Sequence, residues 1–350
     1  MYDAIVIGAR CAGSPTAMLL SRAGYRVLLL DKATFPSDKL STHYIQPGGV
    51  AQLGRWGLLD AVIAAGTPAI HRFTVYAGEQ VVPLPPMQGL ALCPRRFLLD
   101  KILVDAAVAS GVELREAFRV DELIFDGEQV TGIVGHSRHR SSVREHARFT
   151  VGAEGHHSLV ARTVRAHEYR KREALTGGYY SYWSGVELDG AEVYLSDRGG
   201  VLAFPTNDGR VCIAAGRARA QFHDYRADIE GTFYSILDAS PDFARKARAG
   251  KREERWMGTA DVPNFFRKPW GPGWALVGDA GYMKDPVTGF GITDAFRDAE
   301  LLARALDLAL SGRLLADEAL AGYQERRDLD ATPVYELTLQ MAAGEMVSAL

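Results

Sequence analysis

The sequence predicts an α/β protein: a Rossmann-like domain interleaved with an antiparallel β-sheet domain and completed by C-terminal helices. Three observations predict it. The chain opens on an apolar run, Ala4 to Ile7, that breaks into Gly8-Ala-Arg-Cys-Ala-Gly13 and continues through a helix-like stretch into Val27-Leu-Leu-Leu-Asp31. Its middle alternates apolar and polar residues between Asp-Gly, Arg-Gly-Gly and Asn-Asp-Gly turns. Its end shows helical apolar periodicity over Thr293 to Leu310 and Ala316 to Met341.

The opening is the layout of a strand, a phosphate-binding turn, a helix and a second strand ending in an acid, which is how a βαβ unit holds a dinucleotide. Gly8 permits the sharp turn and Gly13 lets the helix pack on the sheet. The first helical turn offers unpaired N–H groups to a diphosphate. Ala17 to Leu20 supply an apolar face, Gly24 is the C-terminal stop, and Asp31 stands where an acid accepts ribose hydroxyls. Arg10 occupies the place of the middle glycine. Either the turn is an ordinary βα connection, or the guanidinium reaches the cofactor through charge-assisted hydrogen bonds.

At 350 residues and 47% apolar content, the chain exceeds what one core usually organises, and two interleaved domains are expected. The net charge of −3 gives no reason to invoke nucleic acid or an anionic membrane. No apolar run is long enough to span a bilayer, and the first strand begins almost at Met1, so a cytoplasmic protein without a leader is expected. Cys11, Cys93 and Cys212 are odd in number and widely spaced; they read as buried small side chains, with neither a disulfide framework nor a metal site indicated.

Two further glycine-bearing strand ends follow. Thr150 to Val160 reads Thr-Val-Gly-Ala-Glu-Gly-His-His-Ser-Leu-Val, delivering Glu154, Gly155 and Ser158 to the start of a helix. Leu276-Val-Gly-Asp-Ala-Gly ends a strand in Gly278-Asp279, followed by Pro286, Gly289-Phe-Gly291-Ile292 and a long helix. Three such strand ends would converge on one ligand.

With these motifs in this order, and an Arg-x-x-Leu helix start at Arg96 to Leu99, the whole chain resembles the FAD-dependent monooxygenases of the para-hydroxybenzoate hydroxylase type, the group A flavoprotein monooxygenases, within a superfamily that includes geranylgeranyl reductases. The resemblance implies a FAD-binding domain of the GR2 type. It implies that Asp279 bonds the ribityl chain and that the N–H groups of Gly291 and Ile292 face the flavin pyrimidine. Arg96, with Arg95 as its substitute, would lie near the diphosphate and ribityl region. Glu154 stands where the family usually has Asp, in a motif associated with FAD and nicotinamide contact. The loop Asp38 to Tyr44 would pass along the flavin, with His43 either facing the ring or satisfying a buried backbone group; Lys284 and Asp285 read as surface charge. The candidate cofactor contacts are thus Gly8, Arg10, Cys11, Ala12, Gly13, Asp31, Lys32, Ser41, Thr42, Arg96, Val120, Glu154, Gly155, Gly278, Asp279, Pro286, Gly289, Gly291 and Ile292. His43 is the one candidate catalytic side chain.

The segments expected to form the FAD-binding domain are 1–70, 91–175 and 263–350, the last including the C-terminal helices. Residues 71–90 and 176–262 are expected to form the substrate sheet, with Tyr180, Tyr182, Phe204 and Pro205 lining an apolar pocket by alternation and by resemblance. The basic stretches Arg162 to Arg172 and Arg245 to Arg255 read as solvated faces. Some members of the family carry a further C-terminal domain, and the end of this chain soon after its last helix suggests a minimal enzyme or a shortened chain.

The activity implied is hydroxylation of an aromatic, polyketide-like or otherwise apolar small molecule by molecular oxygen. NADH or NADPH serves as transient reductant and a flavin C4a-hydroperoxide as oxidant. No protein base is required for that chemistry, which belongs to the cofactor. The alternatives are a flavin-dependent reductase of an isoprenoid double bond and a flavin-binding scaffold without turnover. A flavin halogenase is disfavoured because no Trp-x-Trp-x-Ile-Pro segment occurs.

Overall fold

The computed structural model describes residues 1–78, 80–137 and 141–344; the remaining residues of the expected segments 71–90, 91–175 and 263–350 lie outside the described residues. Its principal sheet runs in the order Trp270–Gly271, Trp274–Leu276, Val143–Gly152, Tyr2–Ile7, Val27–Leu30, Glu113–Arg115. From Trp274–Leu276 onward all pairs are parallel, and Gly152 lies opposite both Ile7 and Leu276. Such strands are covered on both faces, which is why Val27–Leu30 is apolar throughout and fully buried.

Alternate side chains along these strands serve two cores. Ala4, Val6, Val27 and Leu29 pack with Leu99 and Leu103 of the helix Arg96–Ala109 and with Phe296 and Leu302 of the helix Gly291–Leu310. Ile5, Ile7, Leu28 and Leu30 face the opposite way, against Phe118, Ile133 and Val160. The helix Gly13–Arg22 closes the βαβ unit, and Gly24 follows it with a left-handed φ of 92°.

The second large sheet has the order Lys251–Arg252, Thr176–Ser184, Val211–Ala218, Gly199–Pro205, Ala191–Ser196, Phe73–Ala77, Gln80–Val82, and Met257–Thr259 also pairs with Thr176–Ser184. Phe73–Ala77 and Gln80–Val82 therefore join the strands of 176–259. One pair departs from the antiparallel expectation: Ala191–Ser196 runs parallel to Phe73–Ala77. Those two strands are joined by a long connection through the first sheet, so no hairpin turn imposes opposite directions on them. The helix Pro47–Trp56 ends at Gly57, which adopts a left-handed φ of 76°.

A third sheet pairs Asn264–Arg267 with Glu168–Arg172 and Tyr282–Met283. The long helix Ala316–Ala342 docks on it through Arg327, whose side chain is fully buried. Its guanidinium donates to the carbonyls of Gly281 at 3.2 Å and Arg267 at 3.0 Å and to the Tyr169 hydroxyl at 2.8 Å, and it pairs with Asp328 at 2.7 Å. Among the described residues no helix is long and apolar enough to cross a membrane. Arg327→Met keeps the bulk but removes the guanidinium bonds to the Gly281 and Arg267 carbonyls and the Tyr169 hydroxyl and leaves Asp328 without its cation; it is expected to destabilise the protein by about 3–5 kcal/mol, measured by denaturant unfolding, whereas a loss under about 1 kcal/mol would refute this anchoring role.

Candidate functional site

Parallel register places three strand carboxyl ends, Ile7, Gly152 and Leu276, side by side at one edge of the principal sheet. That edge is where open α/β sheets bind ligands. The chain leaves each end through a tight connection: Gly8 N–H donates to the Leu30 carbonyl at 2.7 Å, Ala153 N–H to Ile7 at 2.8 Å, and Val277 N–H to Gly152 at 3.0 Å. Gly8 has φ of 102°, and a Cβ on Gly13 would stand 1.7 Å from the Gly8 carbonyl oxygen, so the turn closes only with glycine at both places. Gly278, at φ of 60°, leaves space where a Cβ would meet that of Ala12 at 2.7 Å, bringing the third strand end against the first turn.

In front of these ends lies a cavity of about 860 Å³ that continues to the second sheet, within the ~300–1,000 Å³ usual for small-ligand sites. Gly8, Arg10, Cys11, Ala12, Asp31 and Lys32 line its first end. Ser41, Thr42, Arg96, Val120, Glu154 and Gly155 line its flank, and Asp279, Pro286, Gly291 and Ile292 its centre. Tyr180 and Phe204 line the far end, together with Val193, Leu202, Cys212 and Ala214.

Six candidates are not part of that wall. Gly13 acts behind it, by packing; Gly278 sits beside Asp279 in a small recess; Gly289 ends the turn Pro286–Thr288 against Tyr44. Tyr182 is fully buried, with the Arg95 guanidinium 3.7 Å from its ring centre, and Pro205 follows Phe204 out of the wall. His43 also lies behind the wall: its Nδ1 is 2.6 Å from the Ser41 carbonyl, its Nε2 bonds the Tyr182 hydroxyl, and burial holds its pKa down at about 3. It is a neutral, satisfied core histidine, and a catalytic role facing the ring is not supported by its position.

The arginines are sorted by a residue that the motifs did not reveal. Asp100, wholly buried one helical turn beyond Arg96, accepts from Arg96 Nε at 3.1 Å and Nη2 at 3.0 Å, and also pairs with Arg10. Arg10 is further held by the Ser37 hydroxyl at 2.9 Å. Arg95 points elsewhere, to Glu254 at 2.8 Å and Asp38 at 3.1 Å. Cys11 Sγ is 3.4 Å from Asp100, and burial pushes its thiol pKa well up, as for the equally buried Cys93 and Cys212.

Each acid has a distinct task. Asp31 accepts from the Ala9 and Ala33 N–H groups, both at 2.8 Å, and keeps its place in the wall. Glu154 turns its carboxylate to its own chain, accepting from the Ser158 hydroxyl at 2.8 Å and the Leu159 N–H at 3.0 Å, so it caps the helix Leu159–Thr163. Asp279 accepts no side-chain or backbone hydrogen bond and opens onto the cavity. Its side chain is exposed to the cavity, yet desolvation by the protein around it pushes its pKa up to about 6; Arg96 and Lys284 pull it back, and Asp294 and Asp298 push it further. Lys284 and Asp285 are buried rather than surface charges. Lys284 pairs with Asp294, while Asp285 accepts from the Thr176 hydroxyl at 2.9 Å and Val287 N–H at 3.2 Å.

These residues fit a flavin dinucleotide. The first turn of Gly13–Arg22 has no side-chain cap to occupy its N–H groups, nor does that of Gly291–Leu310. Open space lies before Gly291, and Asp279 presents an unpartnered carboxylate to a polyhydroxylated chain.

A crevice with these features at the sheet's carboxyl edge defines a dinucleotide-cofactor α/β protein. Residues 1–338 match the family model described as FAD binding domain, and the chain belongs to that family: it is a flavoprotein oxidoreductase with FAD as cofactor, and a reduced nicotinamide nucleotide is the reductant typical of the class. It is 26% identical over 319 residues to squalene epoxidase erg1 of Schizosaccharomyces pombe, covering 86% of this chain and 68% of that protein. It is 25% identical over 336 residues to digeranylgeranylglycerophospholipid reductase of Methanocella arvoryzae, covering 92% and 81%. Among solved structures, the myxobacterial chondrochloren halogenase CndH superposes with a TM-score of 0.88 at 24% identity, over 96% of this chain and 81% of that one.

An acid whose folded pKa is raised costs stability above that pKa, and the cost is relieved as pH falls through it. Asp279→Asn is therefore expected to raise the Tm of cofactor-free protein at about pH 8, with the gain shrinking as pH falls through about 6 toward 4. Calorimetry across a pH series checks this. A gain independent of pH would sink it.

Proposed function

We propose that this chain is an NADH- or NADPH-dependent flavin monooxygenase that inserts one oxygen atom from O2 into an aromatic, polyketide-like or otherwise apolar small molecule. One observation carries the reading. The cavity runs without interruption from the three strand ends to the second sheet, whose wall there offers aromatic, aliphatic, glycine, threonine and cysteine residues and no charged side chain. When bound, FAD passes electrons from the nicotinamide nucleotide to O2, so that one oxygen atom enters the substrate and the other leaves as water.

The chain's own residues bind and shield. Backbone N–H groups from Arg10 to Gly13 would hold the diphosphate and Asp31 the ribose, the Gly8 and Ala9 N–H groups being engaged by Leu30 and Asp31. Asp279 accepts the ribityl hydroxyls, with Arg96 beside it. The N–H groups of Gly291 and Ile292 head a helix of 20 residues and stabilise negative charge on the reduced ring. Burial pushes the Tyr180 pKa up, so its hydroxyl, which accepts from Ser41 N–H at 3.3 Å, keeps its own proton to donate to a substrate oxygen. Leu202, Phe204 and Ala214 exclude water from the reacting centre.

The likeness to squalene epoxidase supports oxygen insertion, and the absence of Trp-x-Trp-x-Ile-Pro weighs against halogenation. The reductase likeness favours a second reading, saturation of an isoprenoid double bond without O2. Three free, buried cysteines support a reducing, cytoplasmic setting.

The test is an oxygen electrode. Aromatic and polyketide-like compounds added to the flavin-loaded protein with NADH or NADPH should stimulate O2 uptake and give a product heavier by one oxygen atom. Anaerobic saturation of an isoprenoid would replace this reading with the reductase. Protein that neither carries nor binds FAD would sink both. Arg10→Ala removes one cationic partner from Asp100 at the diphosphate end, and about a tenfold rise in the Kd for FAD is expected from titration of flavin fluorescence. Unchanged affinity would confine Arg10 to holding Ser37 and Asp100.

A further inference from the structure

We propose that His156, His157 and Asp261 form a site for a divalent transition metal ion at the rim of the cavity, with Zn2+ as its best fit. Their ligand atoms all lie within 4.8 Å of one another. The two imidazole Nε2 atoms stand 3.5 Å and 3.3 Å from the same oxygen, Asp261 Oδ2. Those separations are too long for good hydrogen bonds. They match the edge of a tetrahedron around zinc: with Zn–N and Zn–O near 2.0–2.2 Å, adjacent ligand atoms lie about 3.3–3.5 Å apart.

A second observation is independent of spacing. His156 Nε2 is buried without any hydrogen-bond partner. Buried polar atoms rarely go unpaired, and this one points at the carboxylate oxygen it shares with His157. The two rings also lie at close range, with centres 3.8 Å apart and planes tilted by 42°. Two imidazole nitrogens converging on one carboxylate oxygen bring three ligand atoms of the kinds zinc takes into one place, where a cation can bridge all three.

The loop is held in this shape from behind. Arg267 Nη1 donates to the His156 carbonyl at 3.1 Å, and Arg162 donates to that of His157. Two nitrogens and one oxygen are a borderline donor set suited to zinc, and three protein ligands leave a fourth position for water or an anion. Motif spacing gave no hint of it, because the histidines adjoin the Glu154-Gly155 motif and Asp261 lies between the strands Met257–Thr259 and Asn264–Arg267.

The location states what the ion does. His157 lines the cavity together with Thr259 and Val262, which flank Asp261. An ion here ties the loop after a principal-sheet strand to the segment leaving the second sheet, and it stiffens the entrance. This assignment does not depend on the identity of the substrate or on turnover.

The experiment uses the full flavin-loaded chain, freed of metal by a chelator and dialysed. Calorimetric titration with ZnCl2 should give one ion per chain, and CoCl2 the visible absorption of a four-coordinate nitrogen and oxygen site. His157→Ala and Asp261→Ala alter exposed side chains, so flavin content and circular dichroism should be unchanged while the Kd for Zn2+ rises about tenfold or more. Zn2+ should raise the Tm of the parent protein and not of these variants. His223→Ala, at another exposed histidine, should bind as the parent does. Zn2+ affinity unchanged in either site variant, an equal loss in the His223 variant, or less than one ion per chain would overturn the proposal.

Discussion

Parallel hydrogen bonding among three strands drawn from distant parts of the chain is the constraint on which the rest of the structure depends. Tyr2–Ile7, Val143–Gly152 and Trp274–Leu276 are held in register so that their last residues are neighbours. A slip of one residue would turn Ile5 and Ile7 from one core into the other and separate the turns that follow. The two packed faces thus do more than stabilise the sheet. They fix where Gly8, Ala153 and Gly278 begin to turn, and hence the shape of the crevice.

Charge in the crevice is balanced from behind rather than by solvent. Asp100 pairs with both Arg10 and Arg96 and leaves that cluster one positive charge, while Lys284 and Arg297 balance Asp294 and Asp298 beneath Asp279. Asp279 therefore stands between a cluster with one spare positive charge and a balanced one, without a hydrogen bond of its own, and the protein around it raises its pKa more than Arg96 lowers it. The arrangement leaves the site nearly neutral toward a flavin while keeping its donors and acceptors oriented.

Much of this was legible in the sequence where the signal is local. The βαβ opening is contiguous, so strand, turn, helix and acid read directly from Ala4 to Asp31, and two-residue alternation marked the second sheet. What was not legible is set by partners far along the chain. Lys284 and Asp285 look like surface charges until Asp294, Thr176 and Asn264 are brought to them. Asp100 carries no motif, and the parallel pairing of Ala191–Ser196 with Phe73–Ala77 has no turn to announce it. Tyr180 and Tyr182 share one face by alternation, yet the stacking of Arg95 over Tyr182 and its bond to His43 take only the second of them out of the wall.

The interleaving of the two sheets has an evolutionary consequence. Val193, Leu202, Phe204 and Ala214 face the cavity from strands that make no hydrogen bonds to the parallel sheet. Exchanging them redraws the far compartment and leaves the cofactor crevice as it stands. Variation in one half is thus insulated from the other, and a single scaffold can diversify by repainting one surface. An epoxidase and a reductase among its relatives are what such insulation permits.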